Sequence, residues 1–176
     1  PGHNGGDGLV VARELALAGV SVRLWCPFGV RRELSMQHLR HLHWLGIEPS
    51  LVAPDPSESS LWVDALFGLG QTRSLPEELA SLFHRRQLEC PDHLVSLDVP
   101  SGLCSDQGEP LGGQAACALL TLTVGLIKRG LCLDPARAWV GRLERIDIGL
   151  PSSLLLELAV TRPLLLPLTE ISTVVC

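Results

Sequence analysis

Apolar positions recur along this chain at helical and strand spacings in turn, and the alternation predicts its elements. Residues Asp7 to Gly19 read as a helix, with Val11, Leu15 and Ala18 on one face, Asp7 placed to cap the first turn and Gly19 at the end. Val20 to Cys26 follows as a β-branched, alternating strand stopped by Cys26-Pro27. Met36, Leu39, Leu42 and Leu45 predict a second amphipathic helix over Arg31 to Leu45, closed by Gly46, with a basic, His-rich outer face. Then come a short strand around Leu51 to Ala53, a polar turn over Pro54 to Ser60 and an apolar strand from Leu61 to Phe67. Helix Leu75 to Leu88, strand Leu94 to Asp98, a loop over Pro100 to Gly113, a short helix, strand Leu119 to Val124 and a pair of late strands before Pro151 complete the series. This order predicts an α/β sandwich around a mostly parallel sheet, with ligand sites at the carboxyl ends of the strands.

Composition narrows the partners. The chain has 176 residues, 46% of them hydrophobic, enough for one domain with a sizeable core. A net charge of −5 gives no basic footprint for nucleic acid or an anionic membrane surface. Six scattered cysteines without a C-x-x-C pair fit a reduced, cytoplasmic setting. The apolar run from Leu154 to Leu168 is interrupted by Glu157, Arg162 and two prolines, short of the ~20 residues that span a bilayer.

Chemistry-bearing residues cluster at three of the expected element junctions. The opening, His3-Asn4-Gly5-Gly6-Asp7-Gly8, reads as a glycine-rich turn leading into a helix, a corner that presents backbone N–H groups to an anion. Such a corner follows a buried strand in dinucleotide-binding units. Here the chain begins with Pro1, so the first strand is expected to be missing from this fragment. Asp64 lies inside an apolar strand that runs on into Gly68-Leu69-Gly70-Gln71-Thr72-Arg73-Ser74; its carboxylate needs either a cation or several donors. Asp98 ends a buried strand ahead of Pro100-Ser101-Gly102, a position suited to a general acid/base, or to a turn carboxylate bonding the Ser101 or Gly102 N–H.

The oxygens of Asn4, Asp64 and Ser101 can meet around a cation, and one carboxylate with two neutral donors suits a weakly charged ion rather than zinc. His38, His41 and His43 read as a solvated face instead of a metal site. Lys128 is either a phosphate contact or an exposed loop lysine.

Asn4 to Arg13, Val63 to Gly70, Ser96 to Leu103 and Thr123 to Gly130 resemble the YjeF amino-terminal domain, the NAD(P)H-hydrate epimerase family, in order from Pro1 to about Pro151. The resemblance implies a Rossmann-like three-layer αβα sandwich that interconverts the R and S epimers of hydrated NADH and NADPH. It implies a homodimer binding one potassium ion per subunit through Asn4, Asp64 and Ser101. The dinucleotide would lie on His3, Asn4, Gly5, Gly6 and Asp7 and on the loop from Gly68 to Ser74, with Asp98 against the hydrated nicotinamide as the catalytic group. His3 stands where the family usually has Asn. The ending Ile146 to Pro151 is similar to members fused to an ADP- or ATP-dependent hydrate dehydratase, which would make residues 1–151 the epimerase domain, truncated at its amino end, and 152–176 a tail or linker through Leu164 to Pro167. The alternative is a catalytically inactive scaffold module, as in decapping-enhancer proteins.

Overall fold

The glycine-rich opening is helical. Helix α1 (His3–Leu17) starts at His3 instead of Asp7, so Asp7 lies inside the helix and caps nothing, and Gly2 is the N-cap without a side-chain bond. Packing explains the difference. A Cβ on Gly8 would lie 2.5 Å from the Ala65 Cβ, and one on Gly6 would lie 2.8 Å from the Ser35 Oγ, so the bare helix backbone is pressed between two neighbours. The tertiary contact outweighs the poor helix propensity of glycine. The buried face is Asn4, Leu9 and Ala12; Leu15 and Ala18, expected inside, are exposed.

The computed structural model describes residues 2–151 and 153–154. Residues Pro1–Ile146 make one compact unit and Asp147–Cys176 a second. The expected linker at Leu164 to Pro167 and the apolar run beyond Leu154 lie outside the described residues. Among the described residues no helix is long and apolar enough to cross a membrane.

The strands are parallel throughout, as the alternation predicts, and they form two sheets. Strands β1 (Leu24–Trp25) and β2 (Pro49–Ser50) pair with each other across helix α2 (Glu33–Trp44). Strands β3 (Trp62–Asp64), β4 (Leu94–Leu97), β5 (Leu120–Val124) and β6 (Arg142–Ile146) form the second sheet in chain order, with helix α3 (Glu77–Glu89) connecting β3 to β4. The unpaired edges of β1 and β3 line one apolar groove of about 710 Å³, walled by Leu9 and Ala12 of α1.

Several elements are shorter than their hydrophobic pattern, and at β3 and β6 side-chain hydrogen bonds are the reason. Strand β3 stops at Asp64 because the Leu66 N–H turns to the Asp64 carboxylate and the Phe67 N–H to the Ser101 hydroxyl, which takes both out of the ladder. The late pair of strands is β6 alone; past it, Asp147 accepts the Gly149 N–H and closes a turn. The short helix expected between Gly113 and Leu119 does not form; the 3₁₀ turn Leu111–Gly113 falls within the expected loop, with Gly112 and Gly113 in left-handed conformations. Two further 3₁₀ turns, Arg129–Cys132 and Asp134–Ala136, lead into the one-turn helix α4 (Arg137–Val140).

Three apolar clusters carry the core. Leu9 and Ala12 of α1 pack on Leu42 of α2, which is fully buried on the face expected for it. Leu79 and Phe83 of α3 pack on Leu94 of β4, and Val99, Leu103 and Ala136 form the third cluster. Each fully buried side chain of this size contributes roughly 1.5–3 kcal/mol.

Gly141 joins α4 to β6 at φ 59 and ψ −141, a region that only glycine occupies freely. A Cβ there would sit 2.2 Å from the Leu119 carbonyl oxygen and 2.3 Å from that of Ala118. Gly141→Ala is therefore expected to lose about 3 kcal/mol, combining backbone strain with overpacking. Urea denaturation checks this; a loss below about 1 kcal/mol would mean that the turn adapts at little cost.

Candidate functional site

Parallel register brings the first two polar groups together. Asp64 on β3 stands opposite Ser96 on β4, on the same face of the sheet, and the Ser96 hydroxyl donates to Asp64 Oδ2 at 3.1 Å. The chain leaving β4 then turns back, so that the Ser101 N–H reaches Oδ2 at 2.8 Å and the Ser101 hydroxyl reaches Oδ1 at 2.6 Å. With the Leu66 N–H, four donors hold this one buried carboxylate. Burial raises the Asp64 carboxyl above its ordinary range, and the Ser101, Leu66 and Ser96 donors oppose that rise without cancelling it.

Asn4, buried on the first turn of α1, donates its Nδ2 to the Phe67 carbonyl at 2.8 Å and to the Leu97 carbonyl at 3.1 Å. Its Oδ1 is buried and has no hydrogen-bond partner among the described residues. A buried amide oxygen left without a donor costs about 1–3 kcal/mol. The orphaned oxygen, the adjoining carbonyls, the Ser101 hydroxyl and the Asp64 carboxylate are all hard oxygen donors, a set that fits a weakly charged cation. Among the described residues no group of three His, Cys, Asp or Glu side chains is placed to hold a metal ion.

Asp98 follows β4 in a left-handed conformation at φ 66, unusual for a residue with a side chain. Its own N–H continues the ladder to Leu122. The turn-carboxylate alternative is not what forms. Asp98 Oδ2 accepts the Leu69 N–H at 2.9 Å, and Oδ1 accepts the Val124 N–H at 3.3 Å together with the Lys128 ammonium. Gly68 makes this approach possible, since a Cβ there would lie 2.9 Å from Asp98 Oδ2 and 3.1 Å from the Asn4 Cβ. Asn4, Gly68, Leu69 and Asp98 thus meet at one place.

Asp7 joins the same field. Burial raises its carboxyl, the negative Asp98 adds to the rise, and His3 and His38 oppose it. His3, Gly6 and Asp7 open on a cavity of about 290 Å³ lined also by Arg32, Ser35 and His38. Gln71 serves the framework: its Oε1 accepts the Gly102 N–H at 2.5 Å and its Nε2 donates to the Pro100 carbonyl at 3.3 Å. Gly70, Thr72, Arg73 and Ser74 form the exposed part of that loop, and Gly5 backs onto the Ala65 carbonyl. Sequence reasoning missed Ser96 as a partner of Asp64, and missed the pairing of Lys128 with Asp98. Strand register carried the first signal, whereas the second exists only in the fold.

The family model described as the YjeF-related protein N-terminus matches residues 1–130. The bifunctional NAD(P)H-hydrate repair enzyme Nnr of Gloeobacter violaceus is 44% identical over 151 residues, 85% of this chain and 29% of that protein. The NAD(P)H-hydrate epimerase of Lentilactobacillus buchneri is 34% identical over 152 residues, 85% of this chain and 69% of that protein. The chain therefore spans under a third of the bifunctional relative. The crystal structure of the yeast protein ynu0 superposes with a TM-score of 0.64 at 24% identity, over 82% of this chain and 61% of that one, and shows the same Rossmann-like α/β fold. By its motifs and by the match of the family model, this chain belongs to the YjeF-related amino-terminal domain family.

Proposed function

We propose that this domain is an NAD(P)H-hydrate epimerase that interconverts the R and S epimers of hydrated NADH and NADPH in nicotinamide nucleotide repair. The observation that carries the reading is the convergence of Asn4, Gly68 and Leu69 on a left-handed Asp98 carboxylate. The names of the matched relatives support the substrate class.

In the substrate the hydroxyl sits on the carbon beside the ring nitrogen. The nitrogen lone pair expels that hydroxyl as water once it is protonated, and the planar iminium left behind accepts water on either face. One group that gives and then recovers a proton is sufficient, and the convergence at the Asp98 carboxylate supports that role for it. The turns bearing His3 to Asp7 and Gly68 to Ser74 would hold the dinucleotide. Asn4, Asp64 and Ser101 would hold potassium, which supplies positive charge to an otherwise uncompensated buried carboxylate; the partnerless Asn4 Oδ1 supports this. Residues 1–151 would be the epimerase domain, working in the cytoplasm as a homodimer, and the length of the bifunctional relatives supports a dehydratase fused beyond it.

The test supplies the full-length protein with the R-hydrate of NADH and an S-specific dehydratase, and follows cofactor recovery at matched potassium and sodium concentrations. Recovery well above spontaneous epimerisation is expected, together with a higher Tm in potassium than in sodium. Asp64→Asn should abolish the difference between the ions. A folded protein that gives no acceleration would sink the epimerase reading, and equal Tm values in the two salts would remove potassium.

A further inference from the structure

Lys128 follows β5 by four residues and is folded back under it, with its side chain only 11% exposed. Its ammonium donates to Asp98 Oδ1, to the Thr123 hydroxyl at 3.1 Å and to the Val124 carbonyl at 2.8 Å. An ammonium has three N–H donors, and here all three are used inside the protein. It would reach a phosphate only by abandoning them, which argues against a dinucleotide contact.

Asp98 gains from the same arrangement. Its left-handed backbone costs about 1–2 kcal/mol and persists only where the surroundings hold it. Lys128 anchors the carboxylate from below, while the Leu69 N–H holds the other oxygen beside Gly68. The neighbouring Asp7 brings a second negative charge near Asp98, and Lys128 is the cation bonded to that carboxylate.

We propose, resting on the epimerase reading, that Lys128 is a positioning residue for Asp98. It aims the carboxylate, and Asp98 gives the proton that leaves with the substrate hydroxyl as the C–O bond breaks and the nitrogen lone pair forms the iminium. Water then adds to the opposite face and its surplus proton returns to Asp98.

In the full-length protein, Lys128→Met is expected to lower kcat about 100-fold, in the range of general acid–base contributions, with KM changed by less than about threefold. Ethylammonium should restore part of the kcat of Lys128→Ala in a saturable way, a response that loss of fold support alone would not produce. If Lys128→Met does not fold, Lys128→Arg keeps the charge and carries the test. A fall in kcat at steady KM supports the role, and a rise in KM at steady kcat assigns Lys128 to substrate binding and overturns it. An active parent enzyme with an unimpaired Lys128→Met overturns Lys128 alone. A parent without activity on the hydrates overturns the epimerase reading, and the role of Lys128 in that reaction with it.

Discussion

Arg86→Met is expected to destabilise the protein by about 4 kcal/mol, lowering the midpoint of thermal unfolding by roughly 10 °C. Arg86 lies on α3 and is 2% exposed, yet among the described residues no carboxylate pairs with it. Its guanidinium donates instead to four backbone carbonyls: Pro56 at 2.9 Å and Glu58 at 2.5 Å through Nη1, Ser60 at 2.5 Å and His93 at 3.0 Å through Nη2. Its plane lies 4.5 Å over the Trp62 ring. One side chain therefore ties the irregular segment ahead of β3, and the residue ahead of β4, to a helix. Burial pulls its pKa below the ordinary arginine value, which states the desolvation cost that these carbonyls offset. Methionine keeps much of the volume and removes every donor, so the carbonyls lose partners at about 1 kcal/mol each. Arg86→Lys should fall between, since three donors from one nitrogen cannot span four carbonyls. Denaturant titration of both variants decides. A loss under about 1 kcal/mol for Arg86→Met would show that water replaces the guanidinium and that the segment is not held by it.

Arg86 also shows how far the sequence could be read. The helical spacing of Leu79 and Phe83 continues to position 86, so the pattern placed an arginine on the core face, although its neighbour Arg85 on the same helix is exposed and pairs with Glu89 at 2.8 Å. Nothing local separates two adjacent arginines; the partners of Arg86 lie 26 to 30 residues upstream and 7 downstream. Asp64, Asp98 and Ser101 were legible because each is a polar residue within or shortly after an apolar strand run, and parallel strands bring such positions to one edge. The start of α1 was not legible, because three glycines speak for a turn, and their need to admit Ala65 and Ser35 is visible only once those residues are in place. Strand ends were misjudged for a related reason: the hydrophobic pattern of Leu61 to Phe67 continues past Asp64, but the Leu66 and Phe67 N–H groups are claimed by side chains. Lys128 had two even readings, and its choice between solvent, phosphate and carboxylate depended on the left-handed turn that swings Asp98 toward it.

Asp98→Asn is expected to lower kcat about a thousandfold with KM little changed, and to lose less stability than Asp98→Ala, because the amide keeps one of the two acceptor oxygens. The substitution isolates the proton from the geometry. Asparagine adopts left-handed backbone more readily than other residues with side chains, so φ 66 is retained at small cost. Its amide oxygen can accept either the Leu69 N–H or the Lys128 ammonium, and Gly68 leaves the space that either orientation needs. What it cannot do is take up and release a proton, the one step that both halves of the epimerisation share. Asp98→Ala is the contrasting change: it removes the side-chain acceptor, leaves the Leu69 and Val124 N–H groups and the Lys128 ammonium without that partner, and should lower stability as well as turnover. If both variants lose turnover equally while the alanine loses more stability, the carboxylate acts by chemistry. Unchanged kcat in Asp98→Asn would instead leave Asp98 as a strut for the loop at Leu69, and the proton would have to be sought on Asp7, the other carboxylate in the same field.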